Sequence, residues 1–262
     1  MALRKHAPST KIIGYQYAVT PQAFLNYFVG RAEVKHGLLP DKILTTGDRP
    51  KAIMRKYSCG PIEAQAACAL RFEYLRALAA HVRRPIRHVL LALEGSFIVE
   101  PMVKFVFEQL AGVKGYTLRI RTHPLLPWDV LEKRLELKIK GFTNVEISNA
   151  SLKADLEWGD VIVYYSTTVS MEALMMGKPV VHIDMNSVLN FDPLFECNAL
   201  KASVRCDGSL RDALKALEAM PDEQFKMEQR QARAYLDAYF FPVTEENISR
   251  FIPDTHNTHI LP

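Results

Sequence analysis

The stretch GDVIVYYSTTVSMEALMMGKPVVHID, residues 159–184, decides how this chain is read. Asp160 to Tyr165 is a nearly unbroken apolar run, the pattern of a parallel strand covered on both faces. A helix over 168–176 follows, with Gly177 as its natural stop and Pro179 barring its continuation. Val180 to Asp184 is then the last strong strand. Strand, helix and strand in that order build a parallel sheet flanked by helices.

The same rhythm runs upstream. His88 to Leu93 is a second continuous apolar strand, followed by helix 99–111, strand Tyr116 to Thr122 and helix 127–139. Strand Asn144 to Ser148 and a short helix near 150–157 complete the run, while 208–219, 221–239 and 244–251 read as helix. Residues 86–206 hold enough units for one doubly wound domain. Residues 1–80 hold fewer. Lys11 to Gln16, Lys42 to Thr46 and, more weakly, Ile62 to Cys68 are strand candidates. Pro21 to Val29 reads as helix with Phe24, Leu25 and Phe28 on one face, and a helix after Gly47-Asp48 tolerates Pro50 near its start. This part looks like the end of an α/β domain whose beginning is missing. The expected division is 1–80, 86–240 for the nucleotide-binding domain, and 241–262 for a terminal helix and tail.

Composition bounds the answer. The 262 residues are 48% hydrophobic and 24% charged, which excludes disorder and collagen-like repeats. No run approaches the ~18 apolar residues of a membrane span, and MALRKHAPST at the start has no apolar core for a secretory signal. The expectation is a soluble, cytoplasmic protein, with peripheral attachment at the inner membrane face as a variant. Cys59, Cys68, Cys197 and Cys206 lack metal-ligand spacing and read as free thiols. Residues 1–90 carry 15 Lys/Arg against 5 Asp/Glu, and the remainder 18 against 24. That split fits a basic part facing an anionic partner, or an uneven solvated surface. No nucleic-acid-binding module accompanies it.

In an open parallel sheet, ligands bind beyond the carboxyl ends of the strands, and three ends here are polar. Leu93-Glu94-Gly95-Ser96 offers a tight turn and a hydroxyl, although a plain turn would look the same. Arg121-Thr122-His123-Pro124 holds an imidazole on extended backbone; the ordinary alternative is a surface histidine. Ser166, Thr167, Thr168 and Ser170 crowd the third strand-to-helix junction, with Glu172 one turn on. Simple N-capping would need one hydroxyl, and four point to an anion site. Phosphate- and ribose-binding groups along one edge imply a nucleotide. There is no P-loop and no G-x-G-x-x-G.

At these residues the chain resembles a known family. Residues 159–184 are similar to the nucleotide-binding half of GT-B-fold glycosyltransferases, with the pattern S-T-x-x-x-E-A-x-x-x-G-K-P-V. RTHPLLP, 121–127, resembles the His-Pro motif of bacterial sialyl- and Kdo-transferases and CDP-glycerol glycerophosphotransferases. LEGS, 93–96, stands where those enzymes have their first phosphate-side loop. The segments GYQYAVTPQAFLNYF, LPDKILTTGDRPKAIMRKY and YLDAYFFPVTEENISRFI look like bacterial surface-carbohydrate proteins, so the likeness covers roughly 11–251.

The resemblance implies a GT-B-like α/β fold: a C-terminal Rossmann-like parallel-sheet domain plus an incomplete N-terminal α/β domain. It implies that Ser166, Thr167 and Thr168 face the donor phosphate, Glu172 the ribose, and His123 the phosphate or cytosine, while Gly95 and Ser96 close the pocket; Arg121, which could add charge, and Ser170 count among the donor-binding residues. It implies a CMP- or CDP-type sugar donor as substrate, no dinucleotide cofactor, no metal in the protein, and an anionic or lipid-linked acceptor in polysaccharide (capsule or lipopolysaccharide) assembly. It assigns no catalytic base, and Asp48 and His36 are merely polar residues of the N-terminal part. Two other readings stand beside transfer: a nucleotide-sugar 2-epimerase-like enzyme, and a non-catalytic binding or assembly subunit with a protein partner or a second copy.

Overall fold

The computed structural model describes residues 2–252. From the N-terminus run α1 (Ala2–His6), β1 (Ile13–Gln16), α2 (Arg31–Lys35), β2 (Lys42–Thr45), α3 (Asp48–Tyr57) and β3 (Ala64–Ala66). Next come β4 (His88–Ala92), α4 (Glu100–Leu110), β5 (Thr117–Arg121), α5 (Trp128–Leu135), β6 (Val145–Ile147) and α6 (Leu152–Trp158). The rest is β7 (Val161–Tyr164), α7 (Val169–Met175), β8 (Val180–Asp184), β9 (Lys201–Arg205), α8 (Leu210–Ala219), α9 (Asp222–Tyr239) and α10 (Glu245–Ser249). Two compact units result: residues 21–23 with 78–234, and residues 1–20, 24–77 and 235–262. One boundary therefore falls inside α9, because that helix continues through it, whereas the sequence reading ended the domain at 240.

The larger unit is built on six parallel strands in the order β6-β5-β4-β7-β8-β9. Beside β4 the order reverses, which is the doubly wound arrangement. Central position explains the apolar runs. All four residues of β7 are buried, as are the last four of β4, because helices cover both faces. Val89, Leu91, Val161, Val163, Val181 and Ile183 meet Val103 and Val106 of α4 and Leu214 of α8 in one core. Truncating fully buried Leu91 to Ala would cost about 2–5 kcal/mol.

Three expectations change. β9, KASVR, was not anticipated: it is an edge strand with polar alternation, yet it pairs residue for residue with β8. Over Pro21 to Val29 only a 3-10 turn forms, at Leu25–Tyr27. Tertiary bonds take the backbone of Val29, whose N–H donates to Ser58 Oγ (3.0 Å) and whose C=O accepts from Cys59 N (2.7 Å). The helix expected over 127–139 stops at Leu135, where Glu136 turns left-handed with φ 54°.

The smaller unit has a three-stranded parallel sheet, β1-β2-β3, with Ile53 and Met54 of α3 buried. The C-terminal segment completes it. Phe241 N donates to Thr46 O (2.8 Å), Thr46 Oγ1 to Tyr239 O (3.0 Å), and Ala69 N to Phe241 O (3.0 Å). Gly47 is required by that approach: a Cβ there would sit 2.5 Å from the carbonyl oxygens of Ala238 and Tyr239.

The charge asymmetry is partly internal. Arg83 pairs with Asp222, Arg84 with Asp160, and Arg87 with Glu218 (3.2 Å), so basic residues of the first 90 meet acids of the remainder. Cys59 and Cys206 are exposed, and Cys68 and Cys197 are buried. Among the described residues no helix is long and apolar enough to cross a membrane.

Candidate functional site

Parallel registry brings the first two polar strand ends together. Ala92 stands opposite Arg121, and Leu93 N donates to Arg121 O (3.0 Å), so the residues just beyond β4 and β5 are level. The imidazole of His123 lies against Gly95: a Cβ on Gly95 would be 2.6 Å from His123 Nδ1. Here glycine is needed for contact rather than for a turn. Leu125 N donates to His123 Nδ1 (3.1 Å), so in the neutral ring the proton sits on Nε2, which becomes a donor.

Glu94 belongs to the same cluster, although the sequence reading gave it no role. Its carboxyl is pushed above the usual carboxylate range by burial, opposed by Ser96 and by His123. Ser96 Oγ donates to Glu94 Oε1 (2.8 Å), which commits that hydroxyl. Burial makes this carboxyl a weaker acid beside a histidine at the strand ends, the setting in which a carboxyl can handle a proton. Its signal in the sequence was only position, at the end of a buried strand.

The third end follows β7, the neighbour of β4 across the order reversal, with Leu91 opposite Val163. Its hydroxyls have separate fates. Ser166 Oγ is buried without a hydrogen-bond partner. Thr167 Oγ1 accepts a long bond from Val169 N (3.4 Å), and Thr168 makes no side-chain cap. Ser170 Oγ donates to Thr167 O (2.9 Å) and is fully buried, so it braces the turn. Glu172 is 3% exposed within α7. Capping accounts for little of this cluster, and the buried, open hydroxyl of Ser166 is what a ligand oxygen would satisfy.

Arg121 and Lys178 are occupied elsewhere. Arg121 Nη1 reaches Asp155 Oδ2 (2.7 Å) and Ala150 O (2.9 Å), and Asp155, fully buried, also takes Arg119 (3.2 Å) and Ser148. Lys178 of the Gly-Lys-Pro stretch is buried just before β8 begins and donates to Glu157 O (3.3 Å) and Gly159 O. Burial, with Arg84 adding to it, pulls its ammonium pKa down to about 8. Both side chains hold the sheet together. Among the described residues no group of three or more His, Cys, Asp or Glu is placed to hold a metal ion.

No protein-family model matches the sequence, and no curated protein matches it. Solved structures do. Sucrose-phosphate synthase from Thermosynechococcus elongatus superposes with a TM-score of 0.56 at 14% identity, over 91% of this chain and 66% of that one. A GtfA/B complex gives 0.54 at 12% identity, over 91% and 51%. HepE of Anabaena, solved in complex with UDP and glucose, gives 0.53 at 11% identity, over 87% and 67%. The chain thus spans 51–67% of the lengths of these three structures. Identities this low carry the fold alone. That fold is α/β and GT-B-like: a Rossmann-like parallel sheet with a second, smaller α/β unit in the same chain.

Proposed function

We propose that this chain is a GT-B-type glycosyltransferase that binds a nucleotide-activated sugar at the carboxyl edge of the six-stranded sheet. One observation carries the reading: His123, held as an Nε2 donor against Gly95, and the open hydroxyl of Ser166 stand beyond β5 and β7, the strands flanking β4. Doubly wound sheets bind nucleotides at that reversal. His123 Nε2, Ser166 and Thr167 would hold the donor phosphate, and Glu172 the ribose. Gly95 lets the imidazole and the backbone approach. Arg121, engaged with Asp155, is left out of the contact set.

In transfer, an acceptor hydroxyl attacks the anomeric carbon while the bond to the nucleotide phosphate breaks. Negative charge grows on the leaving phosphate, where His123 and Ser166 would donate hydrogen bonds, so their contribution is largest in the transition state. Glu94, at the end of β4 beside His123, is the group assigned to take the acceptor proton. The His-Pro resemblance favours a cytidine-type donor, and with it a role in surface-polysaccharide assembly.

A thermal-shift titration with CMP, CDP, UDP and GDP tests this. Ligand at ~100 times its dissociation constant adds about 2.7 kcal/mol. At ~2–4 °C per kcal/mol, that is a rise of about 5–11 °C. A cytidine-selective shift supports the full reading, and a UDP-selective shift moves the donor to uridine. No shift with any nucleotide overturns it. Binding without turnover on any acceptor would favour a donor-binding subunit.

A further inference from the structure

Parallel strands are joined by crossovers that usually carry a helix covering the sheet. The 16-residue connection from β8 to β9, residues 185–200, has none and runs as turns and extended chain. Beneath it lies a cavity of about 290 Å³, walled by His182 and Asp184 of β8, Ser203 of β9, and Tyr165, Ser187 and Phe191. Val181, Ile183 and Val204 alternate with those strand residues and enter the main core, so His182, Asp184 and Ser203 face the other side of the sheet, while Tyr165 and Phe191 reach the cavity from the core side. Its size is at the small end of the ~300–1,000 Å³ typical of small-ligand pockets.

Hydrogen-bond accounting shows what it would accept. Lys201 Nζ is satisfied by Asp192 Oδ2 (2.8 Å) and Leu194 O (2.7 Å), and Asp192 Oδ1 by Tyr164 OH (2.8 Å) and Leu194 N (2.8 Å). That buried pair cancels its own charge. His182 is 8% exposed; the Tyr165 backbone accepts a bond from its imidazole, while Nε2 is buried with no partner. Because the bonded nitrogen is the donor, Nε2 is left as an acceptor. Asp184 gives one oxygen to Asn186 N (2.8 Å) and keeps the other open. The cavity therefore offers acceptors at His182 and Asp184, the hydroxyls of Tyr165, Ser187 and Ser203, one uncompensated negative charge and the rings of Tyr165 and Phe191. It suits O–H donors with apolar C–H faces and repels phosphate.

We propose that this cavity binds a neutral polyol of monosaccharide size, whose hydroxyls donate to His182 Nε2 and Asp184. The site adjoins the proposed phosphate contacts at Tyr165, next to Ser166, but its argument does not use the nucleotide reading. Long-range 1H–15N spectra of the full chain, with His182 assigned through His182→Gln, would be titrated with glucose, N-acetylglucosamine, glycerol and inorganic phosphate. Sugars would run to about 50 mM, past saturation for a Kd of about 1 mM. The expected result is an unprotonated Nε2 whose resonance moves saturably with at least one polyol and is unmoved by phosphate. Ser203→Trp, on an exposed edge position, should abolish that movement while leaving the unfolding midpoint unchanged. A protonated Nε2, no saturable movement (a cavity holding water only), an equal response to phosphate, or an undiminished response in Ser203→Trp would overturn the assignment. Should Ser203→Trp fail to fold, Asp184→Asn is titrated in its place: at least tenfold weaker binding supports the site, and unchanged affinity overturns it. A positive polyol titration with no response to nucleotides would leave this site standing and remove the nucleotide site.

Discussion

Replacing Gly95 with alanine tests the centre of the nucleotide reading with one methyl group. The added Cβ would lie 2.6 Å from His123 Nδ1 and 3.1 Å from its Cε1. Ordinary contact begins near 3.4 Å, so the ring must retreat by about 0.8 Å. That movement stretches the 3.1 Å bond from Leu125 N toward about 3.9 Å, which is no longer a hydrogen bond. Losing it costs about 0.5–1.5 kcal/mol, or a midpoint drop of roughly 1–6 °C at ~2–4 °C per kcal/mol. Binding should suffer more. A hydrogen bond from Nε2 to a charged phosphate is worth about 1.5–3 kcal/mol, so nucleotide affinity should fall about 10- to 150-fold. Calorimetric titration with the nucleotide selected by thermal shift measures this. Gly141→Ala is the control, because a Cβ there meets nothing within 4 Å. If Gly95→Ala binds nucleotide as tightly as Gly141→Ala does, His123 does not hold the phosphate and the reasoning fails.

Three further outcomes are expected. Ser166→Ala should leave the fold as stable or raise stability by about 1 kcal/mol, since it removes a buried unpartnered hydroxyl, yet weaken nucleotide binding about 5- to 10-fold; a loss of stability would show that the hydroxyl has a structural partner. Asp155→Ala strips the buried counter-charge from Arg119 and Arg121 and should cost about 3–5 kcal/mol in urea unfolding, whereas a loss below about 1 kcal/mol would contradict the network. His81, its pKa pulled to about 4 by burial and by Lys178 and Arg84, binds its proton less tightly folded than unfolded. Stability should therefore rise with pH between about 4 and 6.5. The full shift corresponds to about 3 kcal/mol, discounted to roughly 1–2 because the ring is partly exposed. His81→Gln should flatten that slope, and an unchanged slope would assign it to other groups.

What the sequence disclosed follows the physics of burial. β4, β5, β7 and β8 were legible because central parallel strands must be apolar or alternate cleanly. β9 was not, because an edge strand satisfies only one neighbour and can be written Lys-Ala-Ser-Val-Arg. The helical pattern of Pro21 to Val29 misled because Ser58 and Cys59, about thirty residues on, capture its backbone. Within the site, position at strand ends was readable and allegiance was not. Arg121 stands two residues before His123, yet it turns to Asp155, 34 residues away, and no local pattern announces that. Glu94 went unremarked because its raised pKa arises from burial in the folded sheet.

The smaller unit cannot close until residues 239–241 have been made. Residues 1–20 and 24–77 provide its sheet, but Tyr239 and Phe241 supply bonds to Thr46 and Ala69. Residues 78–234, the whole six-stranded sheet, are translated in between. At ~5–20 residues per second, that interval is roughly 8–30 s of synthesis. For that time the N-terminal strands leave the ribosome with their C-terminal cover still unmade, exposed to chaperones and proteases. The later domain meanwhile has nearly all its own residues and can fold first, so the order of maturation runs against the order of the chain.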